Sequence, residues 1–396
     1  MKFKWSVLSI FAAAAVLAAP AKESKTNFAA QALEPMVKSG EYSGMISILY
    51  HNGVQETACI GYADVEKQIP ISMDQLFMQC SQTKGFCGVT IAILVEEGKL
   101  SLDDPVAKYL PEFKNLKVKV KDKDGKITVV PAKNTLTVRM VMNHTGGFGF
   151  EIPTKNKKGW PSLSLRDTAR EAAGIPLNFE PGTKVQYSNT GIDIGAAVIE
   201  VITGKPWDEF LKERVLTPLG MTDTTFNPSD EQLKKSIRMY IVKPGQKAVF
   251  RTFHPAMPLP HNGKNIHPSA GAGLWTTAKD QLKFYKMLMN LGTGDNGVRI
   301  LKPETVKNLL ATSSRPAALG GYSLGLAVQN NGFFGHGGAW GTNCMVNPEK
   351  KMLQLWIVQF TGDQRELSKT RAQFSQKFFS AKFDTAASDA YTGRMK

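Results

Sequence analysis

Met78–Leu100, "MQCSQTKGFCGVTIAILVEEGKL", sets a hydroxyl, Ser81, three residues ahead of an amine, Lys84, where a polar segment turns into an apolar helix. Residues three apart on a helix share a face, with β-carbons roughly 5–6 Å apart, so the two side chains meet. Two readings fit. Either Ser81 caps the helix and Lys84 is solvated, or Ser81 is a nucleophile served by Lys84. A serine hydroxyl is a poor nucleophile until a base takes its proton, and an unperturbed lysine, pKa about 10.4, is charged at neutral pH. The chemical reading therefore needs burial beside a basic group or cation to push the amine down, and a partner from elsewhere in the chain. Free N–H groups and the dipole at the helix start would also favour an oxyanion.

Around this stretch lies a chain of 396 residues, 42% hydrophobic and 21% charged, which is enough to bury a large core and unlike a disordered or fibrous protein. Residues 1–21, "MKFKWSVLSIFAAAAVLAAPA", have two lysines, an apolar run and small residues at its end, the layout of a secretory signal cut after Ala19 or Ala21. The run is short for a membrane span, and no cysteine follows it to take a lipid. A secreted or periplasmic protein with no stable span after cleavage is expected. In that compartment disulfides are permitted, and Cys59 and Cys344, both in strand-like segments, can pair only if those strands are neighbours. Cys80 and Cys87 read as packing residues. The net charge of +15 would draw the chain to anionic surfaces. The runs "KNLKVKVKDKDGK" and "TKNKKGW" carry much of it, without zinc-finger spacing or interleaved aromatics, so no nucleic-acid partner is expected.

Periodicity supplies the architecture. An amphipathic helix is expected near 26–38, and strands flank the Asn52-Gly53 turn. A β excursion over 114–131 should turn at Asp124-Gly125. Patterns from about 137 to 225 are mainly helical, "GYSLGLAVQ", "CMVNPEK" and "MLQLWIVQF" read as strands, and 364–383 reads as a last helix. Strands at both ends with helices between predict an α/β (α+β) fold. In it an antiparallel sheet from the N- and C-terminal parts, about 22–80 and 285–396, is flanked by helices, and a mainly helical lobe, about 81–284, is inserted. Together 22–396 form one catalytic domain.

Two further polar clusters could meet Ser81. Tyr187-Ser188-Asn189 opens an apolar helix; a phenol near an ammonium can relay a proton, and Asn189 can orient Lys84 or simply cap its helix. A second Tyr-x-Asn, Tyr50-His51-Asn52, belongs to the hairpin turn. His336-Gly337-Gly338 precedes a strand-like run whose edge could bind an extended substrate, with Ala339 N–H as an oxyanion donor, or is a glycine-rich bulge. His254, His261 and His267 share one loop, but prolines cross it and no His-Glu-x-x-His helix is present, so no metal is expected. His144 reads as a structural loop residue. The absence of Gly-x-Ser-x-Gly argues against an α/β-hydrolase elbow.

Ser-Gln-Thr-Lys, Tyr-Ser-Asn and His-Gly-Gly, in this order, resemble the motifs of the serine β-lactamase and penicillin-binding-protein superfamily, most closely its class C β-lactamase-like hydrolases. "LVEEGKLSLDDPVAKYLPEF", "TVRMVMNHTGGF", "FEPGTKVQYSNTG" and "SAGAGLWTTAKDQLKF" extend the resemblance over nearly the whole mature chain. It implies that Ser81 is acylated, that Lys84 and Tyr187 share the base and acid roles, and that Asn189, His336, Gly337 and Gly338 bind substrate. Ser81 and Ala339 N–H groups would form the oxyanion hole, with neither cofactor nor metal. Histidine stands where many β-lactamases have the lysine of Lys-Thr-Gly, and with a pKa near 6.5 it is charged only part of the time. Lys38-Ser39-Gly40 fits that motif but precedes Ser81. The expectation is an ester, amide or β-lactam hydrolase leaning to esterase or peptidase, with a small-molecule or short-peptide substrate, cell-wall fragments included. A β-lactamase proper, or a penicillin- or peptide-binding protein of low turnover, is the alternative.

Overall fold

In a computed structural model the described residues are 21–151, 162–243, 245–251, 267–362 and 365–381. Its strands are β1 (Lys22–Glu23), β2 (Gly44–His51), β3 (Val54–Asp64), β4 (Ile69–Pro70), β5 (Phe77–Met78), β6 (Lys117–Lys121), β7 (Ile127–Pro131), β8 (Met239–Val242) and β9 (Val249–Arg251), then β10 (Trp275–Thr276), β11 (Ala327–Val328), β12 (Phe334–Gly338), β13 (Thr342–Asn347), β14 (Met352–Ile357) and β15 (Phe360–Gly362). The α-helices are α1 (Phe28–Lys38), α2 (Thr83–Glu96), α3 (Val138–Met142), α4 (Leu165–Ala173), α5 (Asn189–Thr203), α6 (Trp207–Leu211), α7 (Asp230–Lys234), α8 (Ala278–Met289), α9 (Pro303–Thr305) and α10 (Arg365–Ser380). Residues 1–20 of the expected signal segment, the basic run at 154–160, His254 and His261 lie outside the described residues.

The main sheet runs β1-β3-β2-β14-β13-β12-β11, with β4 on β3. Strands from both ends of the chain do interleave, and all pairs except β1–β3 are antiparallel. Period-two alternation gives the sheet two apolar faces. Ile46, Ile48, Leu353, Leu355 and Ile357 join the large core that includes α2, α5 and α8. Met45, Leu49, Trp356 and Val358 pack instead with Leu33 of α1 and Phe374 and Phe378 of α10. The β2–β3 turn uses Asn52 at φ 47° and Gly53 at φ 84°, the left-handed pair that a two-residue hairpin demands. Tyr50-His51-Asn52 is thus used up by the turn, as expected.

Three expectations change, the first being that "GYSLGLAVQ", read as a strand, contributes only the two residues Ala327–Val328 of β11. Cys59 on β3 and Cys344 on β13 have β2 and β14 between them. At roughly 4.8 Å per strand that separation exceeds the reach of a disulfide, and all four cysteines are free. "MLQLWIVQF" is also not one strand: after Ile357 the chain leaves the main sheet, and β15 pairs in parallel with β8 in a three-stranded sheet with β9. Elsewhere β6–β7 forms the expected excursion, with Gly125 at φ 85° in its turn. β5 pairs with β10, which brings residues just before Ser81 alongside the segment 271–274.

Candidate active site

Strand β5 runs into one turn of 3₁₀ helix, Cys80–Gln82, and then directly into α2. Cys80 is held at φ 51°, a left-handed conformation costing a non-glycine residue roughly 1–2 kcal/mol. Surrounding bonds fix it there. Thr83 Oγ1 donates to Cys80 O at 2.7 Å, Thr342 Oγ1 to Gln79 O at 3.2 Å, and Gln79 N to Leu274 O at 3.2 Å. Ser81 emerges half-buried from this turn, and neither the turn nor α2 has a side-chain cap. The capping reading of Ser81 therefore fails.

Lys84 is fully buried and its Nζ donates to three acceptors: Ser81 Oγ at 3.1 Å, Asn189 Oδ1 at 2.7 Å and Gly271 O at 2.6 Å. Burial lowers its pKa to about 7, with the Asp193 carboxylate pulling the other way. No neighbouring cation is needed for that depression. The Tyr187 ring lies 4.6 Å from Nζ, and its hydroxyl hydrogen-bonds the Ser81 side chain. Burial raises the phenol above its ordinary value more than that bond lowers it. Tyr187 is accordingly a neutral donor at pH 7, and Lys84 is the group that can change charge there.

Ser188, not Asn189, caps α5: its Oγ accepts from Gly191 N at 3.0 Å and donates to Gly149 O at 2.6 Å. That frees the Asn189 amide to face Lys84. One turn along α5, Asp193 accepts from Gly271 N at 3.0 Å and Ser269 Oγ at 3.2 Å, so the loop that offers Gly271 O is tied to the helix that offers Asn189. Gly271 has to be glycine, because a Cβ would lie 2.7 Å from that of Asn189.

His336 is buried on β12. Its Nδ1 donates to Gly337 O at 2.5 Å and its Nε2 accepts from Tyr322 OH at 2.9 Å. Burial, aided by repulsion from Lys84, lowers it to about 3. The imidazole is neutral, which replaces the expectation of a part-time cation. Gly337 and Gly338 follow it; a Cβ on Gly338 would sit 2.4 Å from Gln79 O, so β12 presses against the Ser81 turn. Exposed Ala339 begins the next turn, and its amide and that of Trp340 approach the Cys80 sulfur. Burial nevertheless drives the Cys80 thiol up to about 12, leaving it inert.

The sequence model of the family described as "Beta-lactamase" matches residues 29–376. The chain belongs to the beta-lactamase family. Protein Rv1367c of Mycobacterium tuberculosis is 30% identical over 358 residues, which cover 82% of this chain and 88% of that protein. Among solved structures, unliganded simvastatin synthase (LovD) of Aspergillus terreus superposes with a TM-score of 0.72 at 17% identity, over 88% of this chain and 96% of that one. EstCE1, a hydrolase with promiscuous acyltransferase activity, gives 0.68 at 20% identity over 88% and 97%.

Several members of this beta-lactamase-family site escaped sequence reasoning. Gly271 contributes only backbone atoms, Tyr322 carries no motif, and Asp193 was signalled solely by being an acid in the apolar "GIDIGAAVIEV". His144, read as structural, accepts from Ser188 N at 3.3 Å and packs against the Tyr187 and Tyr322 rings at 4.4 and 4.6 Å. Burial holds it well below its ordinary value. His267, the one described member of the histidine loop, has Nδ1 2.9 Å from Leu163 O and Nε2 3.5 Å from Asp193.

Proposed function

We propose that the protein is an exported serine hydrolase that forms an acyl-enzyme on Ser81, with esters favoured over β-lactams and a small molecule or short peptide as substrate. The observation that carries this is the threefold coordination of Lys84. A neutral amine has two N–H bonds and one lone pair. Asn189 Oδ1 and Gly271 O, the two shorter partners, take the hydrogens, and the lone pair is left facing Ser81 Oγ.

In this reading Ser81 Oγ attacks the substrate carbonyl as its proton passes to Lys84. Amides of Ser81 and Ala339 receive the oxyanion. As the tetrahedral adduct collapses, the proton returns to the leaving group through the Tyr187 phenol, whose own proton is replaced from Lys84. Water then attacks the acyl-enzyme by the same exchange in reverse, releasing the acid and free Ser81. Asn189 and the β12 edge, His336 to Gly338, position the substrate. A lysine on that edge would anchor a β-lactam or peptide carboxylate; neutral His336 supplies no such charge. Exposed Phe150 and Val185 beside Tyr187 offer apolar contact to an acyl or alkoxy group instead. Export rests on residues 1–21.

Rates on nitrocefin, a short-chain p-nitrophenyl ester, a D-Ala-D-Ala peptide and a D-amino acid amide, measured in parallel, test the proposal. The ester is expected to turn over fastest, and Ser81→Ala to abolish both turnover and the mass adduct left by a fluorophosphonate. Nitrocefin cleaved fastest would overturn the substrate preference. No adduct with any acyl donor would replace the enzyme by a binding protein.

A further inference from the structure

The β6–β7 hairpin has no role in the chemistry above. Its residues Lys121–Val129 are all exposed, and Ile127 and Val129 retain 62% and 48% of their surface. Cross-strand pairing sets Lys119 beside Val129 and Lys121 beside Ile127, and partners in a ladder share one face of a ribbon. Lys117, opposite Pro131, extends that face. Residues 114–133 hold seven lysines against two aspartates and no aromatic residue. At its base the hairpin is anchored: Lys119 N donates to Leu177 O and Leu177 N to Lys117 O, each at 2.8 Å. Lys119 Nζ reaches Asn178 Oδ1 at 3.0 Å, and Asn178 Nδ2 reaches Gln186 Oε1 at 2.9 Å, next to Tyr187.

We propose that this face docks the protein on an anionic lipid surface, with Ile127 and Val129 entering the interface and the lysines pairing with phosphate headgroups. Charge alone would suit any polyanion. Exposed branched aliphatic side chains alternating with lysines suit a boundary that is apolar on one side and anionic on the other. A single-stranded nucleic acid would call for aromatic stacking platforms, and the hairpin has none. The anchor through Asn178 and Gln186 gives the hairpin a fixed relation to the Tyr187 loop, so docking would also hold the active-site rim at a set attitude to the bilayer.

The full chain carrying Ile127→Trp is titrated with phosphatidylglycerol vesicles doped with brominated lipid, and its fluorescence is compared with that of the unmodified chain. The difference reports the hairpin alone, whatever residues 1–20 do. Quenching of the added tryptophan is expected on anionic vesicles and not on phosphatidylcholine. Lys121→Glu with Lys123→Glu in the same chain should weaken it at least tenfold, since each lysine near such a surface contributes roughly fivefold. Hydrolysis of a soluble ester should be unchanged in all of these variants. An added tryptophan that stays unquenched overturns the proposal. So does equal quenching in the charge-reversed chain, or hairpin-dependent capture by lipid-free heparin with no response to vesicles. Ser81→Ala should leave the quenching intact, so the outcome is read independently of the catalytic proposal.

Discussion

Lys84 carries the pH behaviour of the site. Its folded value, about 7, lies below that of an ordinary lysine, and in the proposed mechanism the competent form is the neutral one. kcat/KM should therefore rise with pH through about 7, falling nearly tenfold per pH unit on the acid side. Lys84→Ala should lower kcat/KM by about 10²–10⁴ and remove that limb. Because burial raises Tyr187 rather than lowering it, Tyr187→Phe should slow turnover yet leave the acid limb where it is. A limb that moved with the phenol would make tyrosinate the base. Gly271→Ala aims at geometry. The added methyl, 2.7 Å from Asn189 Cβ, has to displace the Asn189 amide, and a shift of about 1 Å can cost roughly 100-fold in rate. Steady-state kinetics beside a melting curve checks that kcat falls far more than stability does. The Ser81–Lys84 contact was legible because it lies within one helical turn. Gly271 O was not, since a backbone carbonyl has no signature in sequence, and the state of His336 depends on burial by a Tyr322 that no motif announces.

At the scale of elements, α2 keeps glycines that lower its helix propensity, each costing about 1 kcal/mol relative to alanine. Packing explains them. A Cβ on Gly88 would lie 1.8 Å from Leu324 O, and one on Gly85 2.6 Å from Leu326 Cδ2, so segment 324–326 lies directly against the helix that bears Lys84. Gly88→Ala should destabilise the protein by about 1–3 kcal/mol through overpacking, seen as a lower thermal midpoint; an unchanged midpoint would mean the segment yields freely. Strand alternation made the paired termini of the main sheet readable, as did Asn52-Gly53 and Asp124-Gly125 for their hairpins. The β8–β9–β15 sheet was hidden because β14 and β15 are separated only by Val358-Gln359, inside what reads as one apolar run. Asn189 was ambiguous in sequence because the neighbouring Ser188 is an equally good cap, and only tertiary contact decides between them.

For the molecule as a whole, the separation of β3 from β13 predicts four thiols and no internal disulfide. Cys59 is exposed while Cys80, Cys87 and Cys344 are buried. Native alkylation followed by intact mass should therefore add one label, and four after denaturation; two or more labels in the native state would contradict the packing around Ser81. The order of the chain has its own consequence. Ser81 is made early, but Gly338 and Thr342, which press on its turn, arrive about 250 residues later. At 5–20 residues per second a ribosome needs roughly 13–50 s to cover that interval. On the proposed mechanism a nascent chain would stay chemically silent until residues 338–342 have emerged, and a product ending near residue 330 would hold Ser81, Lys84 and Tyr187 yet be unable to acylate. In the proposed mechanism, latency during synthesis would come without an inhibitor, simply from the nucleophile and its supporting edge lying about 250 residues apart in the chain.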